Sequence, residues 1–183
     1  MTSEKMYVKY LIEGFKQGME KNLIPGDYKL VLVGDGPLYT EVNDIACDVN
    51  KSLGKDAVSM TGRIVGEQLY ELFANCACYC GMGTTLLTAG GYGKPCIRVG
   101  FEDDTQKYAW GFWGKDNKCN RDEIVYTRGN SGEAYTFENI LHLITSDDEL
   151  WLEMSEMAFE NFENNYGVDS VMRKWDMELV SII

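Results

Sequence analysis

Two glycine turns hold the residue types that could grip an anion. Gly34-Asp35-Gly36 follows the apolar run KLVLV, and Gly81-Met82-Gly83 follows ACYC. The second turn opens the stretch CGMGTTLLTAGGYGKPCI, residues 80–97, which leads into a helix expected to start near Thr84. A helix start presents unpaired backbone N–H groups and a partial positive charge. Glycines keep side chains out of a phosphate's way. The Thr84 and Thr85 hydroxyls add donors. The stretch therefore has the make-up of a phosphate cradle. Gly-x-Gly is also a plain tight turn and threonine an ordinary helix cap, so spacing alone leaves both readings open. The first turn lacks the third glycine of the dinucleotide fingerprint, because Tyr39 stands there, and no acid follows a second strand at the proper place. NAD binding is disfavoured.

Other reactive residue types offer less. Cys76, Cys78 and Cys80 alternate, so in a strand they share a face and read as small buried hydrophobes. No paired Cys-x-x-Cys zinc signature occurs. His142 is the one histidine. It sits mid-helix between leucines and reads as structural, and no nucleophile–histidine pair is suggested. Glu102-Asp103-Asp104 could meet Mg²⁺ but reads first as a solvated acidic loop. Tyr108, Trp110, Phe112 and Trp113 could form an exposed patch facing a cleft, or could cover a sheet edge. Arg63, on sequence alone, is a surface salt-bridge partner. Lys5, on sequence alone, is an ordinary surface lysine.

The chain has 183 residues, 45% hydrophobic and 25% charged. That size suits one domain with a real core, and a single domain over 1–183 is expected. The net charge of −12 repels phosphate backbones and anionic surfaces, so nucleic acid is a poor partner. The first ten residues are too polar for a signal peptide, and no apolar run approaches membrane-spanning length. Reduced cysteines point to the cytoplasm.

Periodicity places helices over 6–22, 38–53, 66–74 and 86–91, with short strands at KLVLV, 57–61, ACYC and PCIRVG between or after them. Residues 102–123 read as a long loop and 123–127 as a last strand. Helices follow over 137–145, 147–165 and 168–182, the middle one opened by a Ser146–Glu149 capping box. Alternating strands and helices imply an α/β, Rossmann-like, doubly wound parallel sheet with a helical C-terminus from about 137.

The ordered set KLVLVGDGP, VSMTGRI and LYELFANCACYCGMGTTLLTAGGYGKPCI resembles the C-terminal half of GT-B glycosyltransferases. The likeness is to the retaining group that includes capsule and cell-surface polysaccharide transferases. Gly34, Gly36, Pro37, Gly62, Gly81, Gly83, Ala89, Gly93 and Pro95 stand in register with that pattern. The resemblance implies a domain that binds a UDP- or GDP-linked sugar, with the diphosphate at the helix near Thr84. It implies an N-terminal acceptor domain, in the same or another chain, and no metal cofactor. It assigns donor contacts to Lys5, Gly34, Gly36, Arg63, Gly81, Met82, Gly83, Thr84, Thr85 and Thr88. No residue is singled out as catalytic.

The chain departs from the family pattern at three places. Cys80 and Thr88 replace the two motif glutamates, and a hydroxyl grips ribose less firmly than a carboxylate. The family's opening strand, ending in Gly-Arg before the lysine matched by Lys5, has no counterpart. A piece of a longer polypeptide is the favoured expectation, and the isolated chain is expected to be inactive. A degenerate, non-catalytic binding or scaffold domain is the alternative. A GT-B-shaped epimerase ranks third.

Overall fold

The computed structural model describes residues 5–100, 106–114 and 134–180, and among these it has five strands and seven helices. Helix α1 (Tyr7–Glu20) buries Tyr7, Leu11, Phe15 and Met19 along one face, as helical spacing requires. Tyr10, expected on that face, is exposed. Strand β1 (Leu30–Val33) pairs in parallel with β2 (Val58–Gly62) through α2 (Tyr39–Leu53). Asn50 locks that crossover. Its amide donates to the Val58 carbonyl at 2.8 Å, and its oxygen accepts from the Ala57 and Val58 amides at 2.9 and 2.8 Å.

Helix α3 (Glu67–Asn75) leads to β3 (Tyr79–Gly81), α4 (Thr84–Gly91) and β4 (Cys96–Val99), with β3 and β4 parallel. Strand β5 (Ala109–Phe112) adds antiparallel to β4. Helices α5 (Phe137–Ser146), α6 (Asp148–Tyr166) and α7 (Val168–Val180) finish the described chain. The fold is α/β and Rossmann-like, with a helical C-terminus.

Five local expectations need correction or limit. Residues 109–112 are a buried strand inside the segment expected to be loop, because Ala109, Trp110 and Phe112 pack inward beside β4. The third strand starts at Tyr79, two residues after the start of ACYC. Helix α6 is capped by Asp147, whose carboxylate accepts from the Leu150 amide at 2.9 Å. Ser146 instead donates to the His142 carbonyl within α5. The expected strand at 123–127 and the acidic run Glu102-Asp103-Asp104 lie outside the described residues.

The strands form two hydrogen-bonded sheets, β1-β2 and β3-β4-β5, rather than one. Both feed a common core containing Leu32, Val58, Ile97 and Val99. Helix α1 packs on both α2 and α5. Burial runs opposite to habit. Every residue of β4 and β5 is buried, while in β1 Val31 and Val33 are each 40% exposed. Tyr79 and Cys80 of β3 are half-buried. Parallel strands normally sit covered on both faces. Tyr28, just before β1, has its phenol pKa raised by burial and further by Cys78, just before β3. The amino ends of β1 and β3 are therefore close, though the two strands share no ladder.

Candidate functional site

Three glycine-containing turns leave the carboxyl ends of β1, β2 and β3, the edge where open α/β sheets bind ligands. Gly34 and Gly36 adopt φ of 137° and 121°, and Gly62 adopts 69°. The Gly34 amide donates to the Gly62 carbonyl at 2.8 Å, which ties the first two turns together. Arg63 follows directly and is exposed, and among the described residues it joins no salt bridge. Lys5 precedes α1 and is exposed. Lys9 of the first turn of α1 pairs with Glu41 of the first turn of α2, which puts the amino end of α1 at the same edge.

The third turn is the most developed. Gly83 is the N-cap of α4, with φ 73° and ψ −153°, and no side chain caps the helix. A Cβ built on Gly83 would meet nothing within 4 Å. The Leu86 amide bonds back to the Gly83 carbonyl at 3.0 Å, so the amides preceding it remain at the open end. Gly81 has a different job. A Cβ there would fall 2.2 Å from the Tyr79 hydroxyl. Its smallness makes room for Tyr79, not for a ligand.

The hydroxyls point in different directions. Thr85 Oγ1 lies 2.6 Å from the Tyr79 hydroxyl and donates to the Met82 carbonyl at 3.1 Å. A hydroxyl has one hydrogen to give, so the Tyr79 O–H is the donor of the first bond. Burial pushes the Tyr79 phenol well up. Thr84 and Thr88, one turn apart, share a face of α4. They line a shallow cavity of about 510 Å³ with Leu87, Gly91, Tyr92, Phe162 and Tyr166. Thr88 Oγ1 donates to the Thr84 carbonyl at 3.2 Å, so its hydrogen is spent inside the helix.

Residues behind the turn anchor it. Phe73 of α3 packs against Tyr79 and Tyr92, with ring centroids 5.7 and 6.1 Å away. Trp151 of α6 donates to the Ala77 carbonyl at 2.6 Å, and Ser155 to the Gly93 carbonyl at 2.5 Å. Burial raises the Cys76 thiol pKa and pushes Cys78 up to about 12, and it drives Cys80 and Cys96 well above the usual thiol range. These thiols stay protonated, but the burial expected from their alternation is only partial: Cys76, Cys78 and Cys80 are half-buried, the last two against the core, and only Cys96 is fully buried. His142 Nδ1 donates to the Leu23 carbonyl at 2.8 Å, a structural link between α5 and the turn after α1. Of the aromatic run, Trp110, Phe112 and Trp113 are buried and only Tyr108 is exposed. The exposed-patch reading is set aside for those three.

Sequence reasoning missed Tyr79 and the buried Arg98 of β4, which donates to the Trp110 carbonyl. Both lie in runs whose apolar neighbours masked them.

No protein-family model and no curated protein matches the chain. Among solved structures it resembles HepE from Anabaena, determined in complex with UDP, with a TM-score of 0.61 and 16% sequence identity. The match covers 97% of this chain and 45% of HepE, so the chain spans about half of that protein's length. At that identity the likeness is one of fold. Among the described residues, no helix is long and apolar enough to cross a membrane.

Proposed function

We propose that this chain is the donor-binding half of a retaining glycosyltransferase. It takes a UDP- or GDP-linked sugar and, with an acceptor domain in the same or another chain, passes a hexosyl unit to a glycan or lipid-linked acceptor of polysaccharide synthesis. The observation that carries this reading is the open, uncapped start of α4 at Gly83, placed at the carboxyl edge of β3. A diphosphate there accepts from backbone amides and meets the positive end of the helix. Thr84 extends the cradle toward the cavity it shares with Thr88.

The other turns complete the reading. Lys5 contributes a cation to the phosphates, Gly34 and Gly36 leave the first turn open, and Arg63 stands beside the base. The helix end and these cations, rather than a metal, stabilise the leaving diphosphate. The fold shared with HepE, a UDP-binding structure of about twice this length, supports both the ligand class and the further domain. The half-exposed β1 and β3 support additional polypeptide packing against them. The setting is cytoplasmic, since cysteines placed within apolar runs suit a reducing compartment.

The test is a low-salt titration of UDP, GDP and their sugar conjugates into the chain and into Gly83→Val. Saturable binding of one nucleotide, lost in the variant, is expected. A folded wild-type chain that binds none of them would overturn the reading.

A further inference from the structure

We infer that Tyr79 is a positioning residue: through Thr85 it fixes the peptide plane that carries the Gly83 amide at the mouth of α4. The inference rests on the donor-binding reading for its functional consequence, while its geometry stands alone.

The chain of bonds is short and directed. Tyr79 donates to Thr85 Oγ1 at 2.6 Å, and Thr85 donates to the Met82 carbonyl at 3.1 Å. That carbonyl and the Gly83 N–H belong to one rigid, trans peptide unit and point in opposite directions. Holding the carbonyl toward Thr85 therefore turns the Gly83 N–H away from it. Gly83 has a φ of 73° and open space where a side chain would be, so no side chain of its own restrains this plane. The hydroxyl chain does. Two neighbours keep Tyr79 in place. Phe73 packs on its ring, and Gly81 leaves the gap its hydroxyl occupies. Burial keeps the phenol protonated, hence a donor, at any ordinary pH.

The experiment compares wild type, Tyr79→Phe, Thr85→Val and Thr85→Ser by UDP titration and by the ¹H–¹⁵N shift of the Gly83 amide in the free protein. Tyr79→Phe keeps the ring packing and removes only the donor. It is expected to move the Gly83 resonance and weaken UDP binding about fivefold, the worth of one net hydrogen bond. Thr85→Val should do the same, and Thr85→Ser should restore the wild-type shift and affinity to within about twofold. A Gly83 resonance unmoved in both Tyr79→Phe and Thr85→Val would overturn the inference, as would unchanged UDP affinity in a wild type that binds. A wild type that binds no UDP while the Gly83 resonance still moves would uphold the positioning and remove the nucleotide reading alone.

Discussion

The Gly81 Cα faces the Tyr79 phenol so closely that a methyl group on it would sit 2.2 Å from the hydroxyl oxygen. At the preceding glycine turn, Gly62 has open space around it but a φ of 69°. Glycine is needed at both positions for unrelated reasons. Gly81→Ala should destabilise the protein by about 1–3 kcal/mol through overpacking. Gly62→Ala should cost about 1–2 kcal/mol through left-handed strain. Urea melts give both values. Adding Tyr79→Ala to Gly81→Ala should remove the steric part of the Gly81→Ala cost and leave that of Gly62→Ala untouched, as a double-mutant cycle would show.

Thr88 spends its hydroxyl hydrogen on the Thr84 carbonyl, yet its side chain lines the cavity beside the cradle. A carboxylate there would accept from two ribose hydroxyls in charge-assisted bonds. Thr88→Glu should raise affinity for the UDP-linked sugar by about tenfold, a gain of roughly 1.5 kcal/mol. Calorimetric titration of both proteins checks it. Equal or weaker binding by the variant would place the ribose elsewhere.

Alkaline pH should unfold this protein by a definite route. Burial raises Cys78 from 9.0 to about 12 and holds Cys80, Cys96 and Tyr7 well above their ordinary values. Between pH 9 and 12 the unfolded chain releases protons that the folded chain keeps, so stability falls as pH rises. The contribution is complete below pH 9 and lost toward pH 12. Denaturation midpoints taken across pH 8–11 should drop steadily, and Cys78→Ala should flatten the slope. A pH-independent midpoint would contradict the raised thiol pKa values.

Much of this architecture is legible in the sequence, because apolar runs and helical periodicity report burial directly. Helix α2, strand β1 and the helices after residue 136 fall within a residue or two of expectation. Strand β5 was not legible. Its AWGF is short and lies among acids and glycines, and pairing with β4 and with Tyr135 makes it a strand. The glycines of residues 80–97 were legible as unusual, but their separate purposes were not. Gly83 is open, Gly81 yields to Tyr79, and a Cβ on Gly90 would strike Trp113 at 2.4 Å. Sequence spacing cannot show which side chain arrives from elsewhere in the fold.

His142 illustrates the same limit in a residue whose role was read correctly. Its bond to the Leu23 carbonyl spans 119 residues. His142→Ala should cost about 1–2 kcal/mol by leaving that carbonyl without its donor. Nucleotide affinity should stay unchanged, since the residue lies away from the glycine turns. Thermal melts and a UDP titration measure the two effects separately.

The central claim is that the start of α4 receives a diphosphate. Its most direct test is UDP-induced change in backbone amide resonances at low salt. The account predicts saturable shifts, largest at Gly83, Thr84 and Thr85, that vanish in Gly83→Val while the rest of the spectrum remains that of a folded protein. Saturable shifts centred elsewhere, or none in a folded wild type, would contradict it.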